Sequence, residues 1–156
     1  GRVRGLLVTY SDVDHLKRIN DQYGHPVGDA VLAGVVRHLD LHLRTQDKVF
    51  RYGGDEFLVA LSGADLTTAH EVVSRVRLGL AAKFLITGPD GSAMQVTASF
   101  GLALLDPVED VSESIGRADQ ALLLAKTAGR NRAVAWDASV TTGTRWRLIG
   151  VSERSE

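Results

Sequence analysis

A chain of 156 residues is long enough for one domain with a core of its own and too short to expect two. It carries 18 Lys and Arg against 19 Asp and Glu, a formal net charge of −1, so no bulk positive field points to nucleic acid or a membrane surface. Cys is absent, which excludes disulfides and thiolate metal sites, and no apolar run approaches the roughly 20 residues of a membrane span.

The opening Gly1-Arg2-Val3-Arg4 has no initiator Met and runs straight into a strand-like segment, which reads as a domain taken from a longer protein. Residues 5–11, GLLVTYS, predict a short buried strand that delivers Asp12-Val13-Asp14 at its end. Residues 26–44 carry apolar side chains at Val27, Ala30, Val31, Val35, Leu39 and Leu43, a helical period. Gly53-Gly54 then separates two strand-like runs, 48–52 and 57–61, the signature of a tight hairpin. A second helix is predicted over 66–83, GPDG (88–91) marks a turn, and 94–105 reads as one strand. Ser112 or Ser114 is expected to start a further helix, Gly129 to end it as a left-handed cap, and RAVAW (132–136) to form the last strand. The order β-α-β-β-α-β-α-β predicts an α+β fold: a ferredoxin-like βαββαβ core with additions, its helices on one face of a mainly antiparallel central sheet. Residues 1–137 are expected to be the domain. Residues 138–156 read as a tail or linker, with Arg145-Trp146-Arg147 a weak alternative as an aromatic-basic contact strip.

Two acidic clusters stand out, Asp12/Asp14 after the first strand and Asp55/Glu56 on the hairpin. If the first strand lies beside the hairpin the clusters meet, and converging carboxylates require a cation, for which hard oxygen ligands suit Mg2+ or Mn2+. For a lone Asp-x-Asp, solvated acids at strand ends are the better account of the pattern. In 17–29, Asn20 offers a paired donor and acceptor and Asp29 accepts two hydrogen bonds, which suits a guanine edge. Taken singly, each is better explained as a turn residue or a helix-start residue. Lys126 and Arg130, four apart at the end of the last helix, provide a point charge and a fork for phosphate oxygens, or simply cations at a helix C-terminus.

Taken together, DVDHLKRINDQYGHPVGD, RYGGDEF and ADQALLLAKTAGRNR, in this order and spacing, resemble the diguanylate cyclase, or GGDEF, family over nearly all of 6–135. The resemblance implies condensation of two GTP into cyclic di-GMP with release of two pyrophosphates, in the cytoplasm, across a homodimer that need be only transient. Nucleic acid and membrane are not expected as partners of this domain. It further implies Mg2+ (or Mn2+), two ions per GTP, held by Asp12, the Val13 carbonyl and Asp55, with Glu56 beside them as hydrogen-bonding support or as help in deprotonating the attacking hydroxyl. Asn20 and Asp29 would hold guanine, and Lys126 and Arg130 the terminal phosphates. Backbone amides around His15, Leu16 and Lys17 would line the triphosphate, and Gly53 and Gly54 would let the nucleotide approach the backbone. Asp14, Gly24, His25 and Gly28 look like architectural parts of the motif. Arg44-Thr45-Gln46-Asp47 resembles the family's RxxD product-inhibition site, five residues before Gly53, with Arg44 and Asp47 as its contacts. The sequence departs from the family at Ser11, Leu16 and Leu123, and lacks the LTGLxNR-like segment before the first strand. The competing reading is a catalytically silent GGDEF domain that receives GTP or cyclic di-GMP and signals to an attached domain. The complete set Asp12, Asp55, Glu56, Lys126 and Arg130 favours the enzyme.

Overall fold

The structure, a computed structural model, describes residues 6–51, 56–83, 85–87, 90, 91 and 93–137. Along the chain they form β1 (Leu6–Val13), α1 (Leu16–Tyr23), α2 (His25–His42), β2 (Lys48–Arg51), β3 (Glu56–Ser62) and α3 (Leu66–Lys83). There follow β4 (Leu85–Thr87), β5 (Ala93–Gln95), β6 (Ala98–Leu104), α4 (Val111–Thr127) and β7 (Ala133–Ala135). The main sheet has the order β2-β3-β1-β6-β7 and is antiparallel except for the parallel pair β6–β7. A parallel pair needs a crossover, and α4 is that crossover. The predicted α+β class with a mainly antiparallel sheet is what the chain adopts.

Alternation along β3 and β6 decides how the layers stack. Phe57, Val59 and Leu61 of β3 and Ala98, Phe100 and Leu102 of β6 enter one cluster with Val31, Val35 and Leu39 of α2 and Val73, Val76 and Leu80 of α3. The intervening Leu58 and Ala103 point the other way, onto Ala118 and Leu122 of α4. Helices therefore cover both faces of the sheet, not one as the sequence order suggested: the βαββαβ core puts α2 and α3 on one side, and the added α4 covers the other. Gly101 of β6 is where α4 comes closest, since a Cβ there would run into the Ala118 carbonyl and the Leu122 amide.

Several boundaries differ from expectation for local reasons. The predicted strand over 94–105 is broken at Val96-Thr97: Val96 is buried, and the Thr97 carbonyl accepts from the Asp14 amide at 2.9 Å. The piece before the break, β5, pairs instead with β4 in a separate two-stranded sheet. Helix α1 was not legible, because its eight residues are mostly polar and only Leu16 is fully buried. Helix α4 starts at Val111, not at a serine: the Asp110 side chain caps it by accepting from Ser112 N at 3.2 Å, while Ser114 is buried and accepts from Asp106 N. Gly129 has the expected positive φ of 125°, but Arg130 and Asn131 continue in the left-handed region at 64° and 49°. The glycine pair of the hairpin, part of the GPDG turn and the whole of 138–156 lie outside the described residues. Among the described residues no helix is long and apolar enough to cross a membrane.

Backbone cannot yield at Gly101 as a flexible side chain would, so Gly101→Ala should cost about 1–3 kcal/mol of stability. Urea unfolding checks this; an unchanged midpoint would contradict the close approach of α4 to β6.

Candidate nucleotide and metal site

The site grows from the end of β1. Asp12 is the cross-strand partner of Glu56 on β3 and of Ser99 on β6, so the central strand carries its first acid between two neighbours. Asp14 and His15 then turn the chain into α1, with His15 at φ 60° and no side chain capping the helix. The first turn of α1 thus offers amides that no capping side chain occupies. A cavity of about 490 Å3 opens there, lined by Asp12, Val13, His15, Leu16, Lys126 and Arg130 among others. Lys17 also lines it, though its amine pairs along α1 with Asp21 at 3.2 Å. Lys126 Nζ lies 2.6 Å from Asp12 Oδ2, an ion pair joining α4 to β1 with both side chains largely shielded from solvent.

Asp14 does something different. Its buried carboxylate accepts from Thr97 Oγ1 at 2.5 Å, Ser99 Oγ at 2.7 Å and the Asn131 amide at 3.0 Å. Those bonds occupy it as a brace between β1, the start of β6 and the loop after α4, which fits an architectural part better than a metal ligand.

The residues expected to read a base sit on the helical pair beside the cavity. Asn20 Oδ1 on α1 is buried without a hydrogen-bond partner, and it packs so closely on Gly28 of α2 that a Cβ there would overlap it. Gly28 is thus fixed by the Asn20 amide. Asp29, the next residue on α2, is exposed. Neither Asn20 nor Asp29 lines the cavity of Asp12 and Lys126. Gly53, Gly54 and Asp55 lie outside the described residues. Among the described residues no group of three His, Cys, Asp or Glu side chains is gathered for a metal. The donors near the turn, the Asp12 carboxylate and the Val13 carbonyl, are hard oxygen atoms that fit Mg2+, and the closeness of Lys126 shows that Asp12 holds a positive partner readily.

A second acid was missed from the sequence. Asp119 of α4 has its carboxyl pushed up, first by burial of the group and then by the charge of Glu56, with Lys126 opposing. Its only signal in the sequence is its position seven residues before Lys126, two helical turns along one face.

Arg44 and Asp47 lie elsewhere, on a separate cavity of about 430 Å3 between the end of α2 and α3 that also takes His42 and Arg75. Arg75 and His42 were not singled out from the sequence, where each looks like an ordinary helix-surface residue. Asp47 Oδ2 accepts from Arg44 N at 2.9 Å and Arg44 Nε at 3.2 Å, and Oδ1 from Arg44 Nη2 and Ser62 N, both at 3.2 Å. Arg44 Nη2 also donates to Ser62 O at 2.6 Å. The acid therefore holds the arginine in place rather than facing outward.

An acid, a lysine and an arginine thus surround an uncapped helix start in one cavity. Comparison with known proteins gives the chain a family. Residues 3–132 match the family described as diguanylate cyclase, GGDEF domain. The chain is similar to diguanylate cyclase DosC of Escherichia coli (strain K12), 39% identical over 139 residues, covering 86% of this chain and 29% of that protein. Among solved structures it resembles diguanylate cyclase SiaD from Pseudomonas aeruginosa, in complex with its activator SiaC, with TM-score 0.80 and 36% identity over 85% of this chain and 50% of that one. It also resembles the GGDEF domain of DgcB from Caulobacter crescentus in complex with c-di-GMP, with TM-score 0.77 and 27% identity over 83% of this chain and 77% of that one. The chain belongs to the GGDEF, diguanylate cyclase, family. It spans less than a third of the length of the curated relative DosC.

Burial raises the Asp47 carboxyl, but the hydrogen bonds from Arg44 and Ser62 outweigh it and hold its pKa below the ordinary 3.8. A depressed folded pKa contributes stability that is present above the unfolded value and lost as pH falls through the folded one. Asp47→Asn should therefore destabilise the protein by about 1–3 kcal/mol at pH 7, with the gap closing below about pH 4. Urea unfolding at several pH values checks this, and a gap that persists unchanged into acid would contradict it.

Proposed function

We propose that this chain is a working diguanylate cyclase, condensing two GTP into cyclic di-GMP and two pyrophosphates. The observation that carries the reading is the single cavity in which Asp12, Lys126, Arg130 and the start of α1 meet. Lys126 and Arg130 bind the terminal phosphates, and the amides of His15, Leu16 and Lys17 line the triphosphate. Asp12, the Val13 carbonyl and Asp55 hold Mg2+, which when bound activates the attacking hydroxyl and neutralises phosphate charge. Glu56, cross-strand from Asp12, supports that end of the site. Asn20 and Asp29 hold the guanine edge, and the buried Asn20 oxygen without a partner is the atom that a guanine N–H would satisfy.

Each domain holds one GTP, so two domains face each other as a homodimer. The 3′-oxygen of one nucleotide forms a bond to the α-phosphorus of the other as the bond to pyrophosphate breaks, and the hydroxyl proton leaves. Repetition in the opposite sense closes the ring. Product inhibition would use the second cavity, with Arg44 forking to guanine or phosphate. All four lone pairs of Asp47 are engaged by Arg44 and Ser62, so Asp47 contributes first by aiming Arg44, and contacts guanine directly only if Arg44 releases it.

Asp55→Ala should nearly abolish product formation from GTP while leaving the melting temperature close to wild type. Undiminished turnover by the folded variant would sink this assignment of the metal site. Base choice is tested separately. Leaving a buried polar group unpaired costs about 1–3 kcal/mol, so GTP should bind roughly ten- to a hundredfold more tightly than ATP. Equal affinities by calorimetry would refute the role of Asn20 and Asp29.

A further inference from the structure

Arg130 stands on an improbable piece of backbone. Arg130 and Asn131 are consecutive non-glycine residues at φ 64° and 49°. Each residue in the left-handed region is unfavourable, and such a pair persists only where its surroundings over-determine it. Here the clamp is visible atom by atom. The Asn131 amide is shared between Asp14 Oδ2 at 3.0 Å and Ser99 Oγ at 3.1 Å. On the other side of the loop, Arg77 Nη1 of α3 donates to the Asn131 carbonyl at 2.9 Å and to its side-chain oxygen at 3.2 Å. Arg130 itself donates its amide to Ala125 O at 2.9 Å, and its carbonyl accepts from Arg132 Nε at 3.0 Å.

Arg77 touches neither Asp12 nor Lys126 in any bond described, and it does not line their cavity. Its guanidinium is half-buried, and Nε is enclosed with no hydrogen-bond partner. A guanidinium placed at that cost, with both of its bonds given to one asparagine, is accounted for by the loop it holds.

We propose that Arg77 is a positioning residue for the phosphate side of the cavity, acting through Asn131 to hold the left-handed loop that aims Arg130. Asp14 and Ser99 pin the same residue from the sheet, so Asn131 is gripped between β1, β6 and α3. Without Arg77, Asn131 keeps its amide bonds but loses the contacts that fix its carbonyl and side chain. The loop then samples other backbone conformations and Arg130 spends part of its time away from the cavity.

This inference rests on the reading of Arg130 as a phosphate ligand, and the test separates the two. Wild type, Arg77→Met, Arg77→Lys and Arg130→Ala are each titrated calorimetrically with GTP and with GMP, in Mg2+, and each melting temperature is recorded. Arg130 addresses the terminal phosphates only, so losing its aim should weaken GTP binding and spare GMP. The expected result is a roughly tenfold loss of GTP affinity in Arg77→Met, the scale of one charge-assisted hydrogen bond, with GMP affinity unchanged. Arg77→Lys, which can reach the Asn131 carbonyl with a single donor, should fall between. If Arg77→Met does not fold, Asn131→Gly carries the same comparison, since it deletes the side-chain acceptor yet tolerates the left-handed backbone. Equal losses for GTP and GMP, or no loss for either, would overturn the proposal while Arg130→Ala still weakened GTP. If Arg130→Ala binds GTP as wild type does, the phosphate-site reading falls first and takes the positioning role with it.

Discussion

Everything at the site hangs on the pairing of β1 with a strand on each side. Because β1 is antiparallel to both β3 and β6, its register places Asp12 opposite Glu56 on one flank and Ser99 on the other. Two residues on, past the end of the strand, Asp14 is buried and ties β1 to Thr97, Ser99 and Asn131. A shift of one residue in that register would send Asp12 to the opposite face and leave the Asp14 carboxylate without its donors, at the cost of an uncompensated buried charge. The central strand is therefore both the middle of the core and the ruler of the site.

Charge at the site is arranged locally, since the chain as a whole is close to neutral. The Asp12–Lys126 pair joins a sheet acid to a helix cation, and the placement of α4 that makes it depends on the absence of a side chain at Gly101. Removing that cation alone would take from Asp12, largely shielded from solvent and cross-strand from Glu56, its positive partner at 2.6 Å. Helix α3 lines one cavity and touches the loop that carries a residue of the other. Through Arg75 and Thr68 it lines the one at Arg44, and through Arg77 it touches the loop of Arg130.

Much of this was legible in the sequence, and the exceptions share a cause. The apolar periods over 26–44 and 66–83 gave two helices correctly to within two residues, because burial of one face dictates the spacing. Asp12, Lys126 and Arg130 could be grouped from motif order, and the structure places them around one cavity. What escaped depends on contacts between residues far apart in the chain. The break at Val96-Thr97 follows from the bonds to Asp14, 83 residues earlier for the Thr97 hydroxyl, and no local pattern encodes it. The covering of both sheet faces depends on which way Leu58 and Ala103 point, which alternation permits but does not decide. The inward turn of Asp47 likewise depends on the Ser62 amide, 15 residues away, which joins Arg44 in holding its carboxylate.

The central claim is that the converged acids and cations perform a metal-dependent condensation of GTP. The most direct test is to incubate the purified chain with GTP, with Mg2+ and again after chelation, measuring pyrophosphate and nucleotide products together. The account predicts cyclic di-GMP and pyrophosphate in a ratio of one to two, appearing only with the metal. Nucleotide binding in Mg2+ with no pyrophosphate released and no cyclic product formed would contradict it and leave a receptor in place of an enzyme.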